Sequence, residues 1–511
     1  MKKTILFHLL FLTFNLAPAQ VFQWGKQDRW SELNEGNMLY VNKLKIYVAS
    51  RYQPVNRNYS SKPNGESLSQ LSITGVNNWT LPGITGYLGL AENPLTKNIY
   101  ITHYINGSYY VSKYKNDGVI IDSVFLCKSI VSKIAFDSLG NYFISGILCK
   151  DTIALGSQVL PNPTLSPHLF MAKYDKKDSC LWAKQSEDGH SEVRALAVDK
   201  AGNSVVGGSY SKSITLDGKQ ITEPESYEDA YIARFSADGA ASWIYSIGCK
   251  GQAWVSSLAC DSKGNVYALG YYDQEMDIGR FHLDKNGFWD DIFFARFSPE
   301  GECLWAKKLG SPNADSGNGI WIDEQDHIYI AGRLGTSGAL NNIQVPHGGS
   351  FVARFDTTGR GIWMLQPLGN AGINAVSGDS QGNLAVTGSF RGTVYFGSSF
   401  INSSPDVETE MFVALLKDTT TTAPVVTGVK EITSQSFNIY PNPSANSFRI
   451  QGSGCRILQV KVYSQSGAVI LSRSFSPLEN VTLELGDKPK GVYFVEVIMD
   501  TGRAVRKIVL E

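Results

Sequence analysis

A pattern repeated at near-constant spacing restricts a chain to few folds, because each copy must bury the same apolar face against its neighbours. Here the clearest copy is FVARFDTTGRGIW at 351–363: a β-rich run, an anchor ring, a glycine four residues on and a tryptophan four after that. Phe355/Gly359/Trp363 recur as Phe297/Gly301/Trp305, Phe235/Gly239/Trp243 and, more weakly, Leu71/Gly75/Trp79. Tyr174 and Trp182 keep the spacing with Asp178 in the glycine place, and Tyr114 and Gly118 keep it with Asp122 in the tryptophan place. A seventh strand, FVALLKD at 412–418, runs into Thr419–Thr422 with no tryptophan, whereas Trp24 in VFQWGKQ has no anchor strand before it. Each fragment lacks what the other has, which predicts a circular array completed by its two ends.

The anchors Leu71, Tyr114, Tyr174, Phe235, Phe297, Phe355 and Leu416 are separated by 43, 60, 61, 62, 58 and 61 residues. Between them falls a second motif, LACDSKGNVYALG at 258–270, with close copies at 134–146, 196–208 and 375–388, a variant at 320–332 and degenerate copies at 39–50 and 90–102. Alternating apolar residues predict two strands, and Asp-x-x-Gly-Asn predicts the tight turn between them, with Gly supplying positive φ and Asp accepting backbone bonds. The alternating carboxylates of a calcium loop are missing. Each unit thus offers four strands, and packing such sheets radially buries their faces and protects their edges. The turn hairpin takes the two inner places, the anchor strand the third and the tryptophan strand the outermost. The expected blades span about 37–82, 87–127, 130–186, 192–247, 254–309, 316–367 and 372–418, the last borrowing 21–27. The repeat resembles the bacterial β-propeller repeat family over about 21–418. That resemblance implies a fold and no single activity.

Both ends carry address signals. Lys2 and Lys3, the apolar stretch Ile5–Leu16 and Ala17-Pro18-Ala19 predict a signal peptide over 1–19. That stretch is too short to span a bilayer, and no later segment is long enough. After Asp418, TTTTAPVV begins a linker over 419–432, and 433–511 predicts a small β-sandwich. YPNP at 440–443, VYSQSGAVI at 462–470, KGVYFVEV at 490–497 and the terminal Arg503, Arg506 and Lys507 resemble the type A C-terminal sorting domain of the type IX secretion system. The resemblance implies export by that machinery, removal of the tail, and release or attachment at the outer surface. Cys455 and the final Leu510-Glu511 depart from the usual pattern.

The expected fold class is therefore all-β: a seven-bladed β-propeller over 20–418 closed by the N-terminal strand, followed by the small C-terminal β-sandwich. With 46 basic against 47 acidic residues and no basic stripe, nucleic acid is excluded as a partner. The seven cysteines are expected mostly as buried free thiols, and Cys180 and Cys303, at equivalent repeat positions, are not expected to pair. No catalytic motif, metal-ligand spacing or cofactor signature is present. His327 stands where Asn stands in the other turns, which gives it a structural role. The chain reads as a binding or adhesion module for an extracellular glycan or protein rather than as an enzyme. The alternative is a polysaccharide-active glycoside hydrolase or lyase using loop carboxylates, either Glu187-Asp188 with His190 and Glu192, or Asp290-Asp291 beside Trp289. Long connections between second and third strands, at about 51–66, 149–168, 211–228, 273–290, 335–349 and 391–409, suit ligand contact, and several read as extra hairpins. Tyr227, Trp254, Tyr272, Phe288 and Trp289 lie in or beside them as candidate contact rings, the other reading being that they pack within the hairpins. If Trp24 completes the last blade, Trp24→Ala destabilises by roughly 3–5 kcal/mol. A protein lacking 21–27 that melted at the parent temperature would disprove the split blade.

Overall fold

A computed structural model describes residues 21–28, 34–42, 45–52, 65–72, 77–82, 89–149, 152–162, 166–222, 228–396, 399–403, 409–418, 437–444, 447–452, 456–464, 469–486, 488–499 and 502–510. The expected signal peptide, Tyr227, Cys455, the linker and the side chain of Trp24 lie outside the described residues. All regular structure described is β. The chain divides into two compact units, with the second beginning near Val426.

In the first unit, antiparallel four-stranded sheets follow one another over 34–82, 89–127, 130–185, 190–249, 253–310, 316–365 and 368–417. Each runs in the order turn hairpin, anchor strand, outer strand, and the outer strand Ile120–Cys127 of the second sheet holds no tryptophan. In the last sheet the fourth place is taken by Val21–Asp28, which pairs antiparallel with Glu410–Lys417, Trp24 opposite Leu415. Val41, Ile46 and Val48 of the first sheet share a core cluster with Ala385, Val413 and Leu415 of the last.

The Asp-x-x-Gly-Asn turns form as their chemistry dictates. Asp199 Oδ1 accepts the amides of Ala201 and Asn203, each at 2.9 Å, while Asn203 Nδ2 donates to Oδ2 at 2.8 Å. Asp137, Asp261 and Asp379 repeat this scheme, and Gly202 sits at φ +82. In the variant turn, His327 Nδ1 replaces the amide nitrogen and reaches Asp323 Oδ2 at 2.8 Å.

The anchor-Gly-Trp motif links one sheet to the next. Trp182 Nε1 donates to the Ala237 carbonyl at 3.2 Å, Trp243 to Pro299 at 2.9 Å and Trp305 to Thr357 at 3.0 Å. Each acceptor lies two residues before the next repeat's glycine. A Cβ on Gly239 would come within 2.6 Å of the Trp182 ring, on Gly301 within 2.9 Å of Trp243, and on Gly359 within 3.1 Å of Trp305. The glycine is needed twice, for its positive φ and as the floor under the preceding indole. Where Asp122 replaces the tryptophan, the next repeat has no indole to seat, and Asp178 stands in the glycine place at φ +67.

Buried ion pairs run beside this contact. Lys173 meets Asp137 at 3.3 Å, Arg234 meets Asp199, and Arg296 meets Asp261 at 3.2 Å. Arg234 and Arg296 also donate to the carbonyls of Gly264 and Thr357 in the following sheet. Lys113 and Arg354 instead pair with Asp178 and Asp418 of the next sheet. The innermost strands carry one-residue bulges, as between Val255/Ser257 and Gly317/Gly319. A bulge re-aims a side chain, and here the bulged Ser256 donates to the Gly317 carbonyl and Asn318 to that of Ile373 at 2.7 Å.

The extra hairpins are present, at Ile153–Leu160, Ser213–Thr222, Met276–Leu283 and Gly338–Val345. Two of them add to the outer strand of the preceding sheet: Cys249 pairs with Met276, and Leu309 with Leu340. They cover edges that would otherwise be open to pairing with another chain, so they are less available for ligand than the sequence suggested. The described cysteines are free thiols, and burial pushes Cys303 up to about 12 and Cys180 up to about 11.

The second unit has two antiparallel sheets around one core, with Phe437–Tyr440, Ser447–Gly452 and Asn480–Glu484 in one and Ile457–Ser464, Val469–Leu478, Gly491–Met499 and Gly502–Leu510 in the other. The YPNP turn holds the final strand: Asn442 Oδ1 accepts the Val509 amide at 2.9 Å, and Ser444 N donates to the Val509 carbonyl.

The indole-on-glycine contact has a measurable signature. Gly301→Ala is expected to lower stability by roughly 1–3 kcal/mol through overpacking against the indole, in addition to the strain of its positive φ, which is the same in both backgrounds. The loss shrinks sharply when Trp243 is also Ala, because the two positions are in contact. Equal losses in both backgrounds, by urea denaturation, would disprove the contact.

Candidate functional site

The four described rings, Trp254, Tyr272, Phe288 and Trp289, differ in exposure. Tyr272 is wholly buried in the core, its hydroxyl donating to the Asp284 carbonyl at 2.9 Å. It closes the end of its strand under the Met276–Leu283 hairpin and is a packing residue. Trp254 is half-buried, its Nε1 donating to Glu228 Oε2 at 3.1 Å. Its ring lies 5.1 Å from that of Tyr271, with the Arg194 guanidinium 5.8 Å from the indole centre. Arg194 is itself tied to Glu192 and to the Tyr271 hydroxyl. These groups satisfy one another.

Phe288 and Trp289 differ, being 94% and 61% exposed. They sit on a loop fastened from beneath. Lys285 Nζ donates to the carbonyls of Asp273 and Phe288, the latter at 3.3 Å. Asn286 N donates to Asp291 Oδ2 at 2.6 Å, and Lys308 Nζ to Asn286 Oδ1 at 3.1 Å. Gly287 has φ +74, and a Cβ there would strike the Pro312 carbonyl. The loop therefore holds two neighbouring rings in water on a rigid base. Any contact such an arrangement made would cost little ordering entropy.

The carboxylates proposed as an acid/base pair serve to shape loops. Asp188 accepts from Ser213 Oγ at 2.8 Å and Gln220 at 3.2 Å. Burial alone would raise its pKa, but these hydrogen bonds hold it below the usual range. Glu192 is paired with Arg194 at 3.1 Å. Asp291 is fully buried, with Oδ1 lacking a hydrogen-bond partner, and burial pushes it up to about 6 despite the Asn286 amide. The nearby Asp315 charge adds to the rise. A Cβ on Gly310 would meet both Asp291 Oδ1 and Asp315 Oδ2, so the two carboxyls converge there. Asp315 in turn accepts from Ser311 Oγ at 2.7 Å and from the Gly335 amide at 2.9 Å. Among the described residues no group of His, Cys, Asp and Glu has the arrangement to hold a metal.

Comparison with known proteins addresses the two units separately. Residues 438–511 match the family described as the secretion system C-terminal sorting domain. The tail is a sorting domain. It marks the chain for export by the type IX secretion system. An uncharacterised WD repeat-containing protein of Acanthamoeba polyphaga mimivirus is 25% identical over 163 residues, which is 28% of this chain and 12% of that protein's length. Among solved structures, the Dos1 propeller is 10% identical with a TM-score of 0.43, covering 80% of this chain and 96% of that one. The Neurospora crassa Pan2 WD40 domain is 8% identical with a TM-score of 0.35, covering 67% and 91%. The chain joins a region of successive antiparallel sheets to a sorting tail. Among the described residues no helix is long and apolar enough to cross a membrane.

Asp291 gives a pH prediction. Its unfolded pKa is near the model-peptide value of about 3.9, below the folded one, so folding favours the neutral form. Its contribution to stability is fully present below about pH 4 and is lost as the pH rises through about 6. Asp290 and Asp315 are also shifted upward, first by burial, and act in the same direction. In urea denaturation between pH 4 and 7, Asp291→Asn is expected to flatten the decline. An unchanged slope would show that another group sets it.

Proposed function

We propose that this chain is an exported binding module: a seven-bladed β-propeller over 20–418, closed by its N-terminal strand and delivered by a signal peptide over 1–19 and a sorting domain over 433–511. After removal of both signals the propeller acts outside the cell or on its surface. Support for a ring comes from the innermost strands, each of which neighbours the next, with the first sheet beside the last. It comes also from the strand Val21–Asp28, which occupies the outer place of the last sheet. The ligand is an extracellular glycan or protein that docks on Phe288 and Trp289. The observation carrying this reading is the fastened loop: Lys285, Asn286 and Asp291 hold two exposed rings that contribute nothing to the core. Rings placed this way stack on sugar faces or fill a partner's pocket. Of the carboxylates an enzyme could use, Asp188 is held by Ser213, Glu192 is paired with Arg194, and Asp291 is buried beneath its loop.

A paired experiment tests address and binding. In a host with type IX secretion, the full chain is expected in the culture medium or on the surface, and a chain ending at 432 in the periplasm. Glycan arrays and pull-downs from the exported fraction are expected to lose their signal for Phe288→Ala/Trp289→Ala. Undiminished binding by that variant would overturn the loop as the contact.

A further inference from the structure

The connection between second and third strands in the next sheet carries a different chemistry. A cavity of about 400 Å³ there is lined by Arg333, Asn370 and four glycines, Gly335, Gly348, Gly349 and Gly369. Backbone conformation and close neighbours require glycine at several of these positions. Gly349 and Gly369 have φ of +136 and +115, where L side chains are strained. A Cβ on Gly335 would lie 2.6 Å from the Asn313 side chain. The walls are therefore largely backbone, and Ser350 fastens them by donating to the Ala371 carbonyl at 2.6 Å.

Charge enters from two exposed arginines. Arg333 ends the strand Ile328–Leu334 and lines the cavity. Arg391 stands directly across from Asn370, another lining residue, in the last sheet. Arg234, Arg296 and Arg354 all have buried acidic partners. Among the described residues neither Arg333 nor Arg391 forms an ion pair. The cavity is also tied to the aromatic loop. Gly335 N donates to Asp315 Oδ1 at 2.9 Å, and Asp315 N donates to the Asp290 carbonyl at 2.9 Å, one residue from Trp289.

We propose that this cavity receives the anionic substituent, carboxylate or sulfate, of an acidic glycan whose sugar rings rest on Phe288 and Trp289. This deepens the reading given under the proposed function and rests on it. A guanidinium presents paired donors matched to a planar or tetrahedral oxyanion. The rings supply the apolar contact that sugars need, and the arginines select the charged member.

Binding of the full-length protein to oligogalacturonate, dextran sulfate and neutral dextran, measured calorimetrically at low and high salt, tests this. Arg333→Gln/Arg391→Gln is expected to weaken the charged probe about tenfold or more, the scale of a lost charge-assisted contact, while leaving neutral dextran unchanged. Both substitutions are at exposed positions, and an unchanged melting temperature confirms that the fold survives. Phe288→Ala/Trp289→Ala is expected to weaken charged and neutral probes alike. Response to oligogalacturonate alone identifies a carboxylate ligand, and response to dextran sulfate alone a sulfate. Charged binding that ignores salt and the arginine substitutions overturns the anion pocket and leaves the aromatic loop standing. Sensitivity to the arginines without sensitivity to the rings overturns the aromatic loop instead.

Discussion

The first unit depends on an indole lying on a glycine. Trp182, Trp243 and Trp305 each leave their own sheet, rest on the next repeat's glycine and donate their N–H to a carbonyl two residues earlier. One side chain thereby buries a large apolar surface and satisfies a backbone acceptor in a turn. Because the contact runs from one sheet to its successor, a residue lost in one repeat changes what the next requires. Asp122 and Asp178 are the example: with no indole to seat, the glycine place needs only a residue that tolerates positive φ, and Asp does.

The buried ion pairs follow a similar rule with more freedom. A buried cation is tolerated when an acid and further acceptors surround it. Asp199 and Asp261, which shape the inner turns, supply that acid within the same sheet. The second sheet has Asn93 in that place, and Lys113 turns to Asp178 in its neighbour. Arg354 turns to Asp418, which also accepts from Tyr329 at 2.8 Å. The sheets are thus joined by polar contacts as well as apolar ones, a geometry that resists sliding more than apolar contact alone.

The candidate site was legible only in part. Phe288 and Trp289, named as rings on a long connection, do stand exposed. Tyr272 was misplaced because it ends a strand at the edge of an insertion, where sequence cannot say whether the added hairpin folds over it or away. The arginine cavity left no local trace. Arg333, Gly348, Gly369 and Asn370 are spread over almost forty residues and line one cavity only because two sheets stand side by side. The inner-strand bulges were equally silent, since a one-residue slip preserves composition and disturbs alternation at a single position.

By itself the sequence determined the strands, the turns between them, their order within each sheet and the C-terminal sorting unit. These depend on period-2 alternation, on positive-φ residues and on local hydrogen bonds, all of which act over a few residues. Tertiary structure decided which side chains were left over. Whether a ring is core or surface, or an arginine paired or open, depends on what a neighbouring sheet presents some sixty residues away. That distance is why the fold could be read from the chain and the site could not.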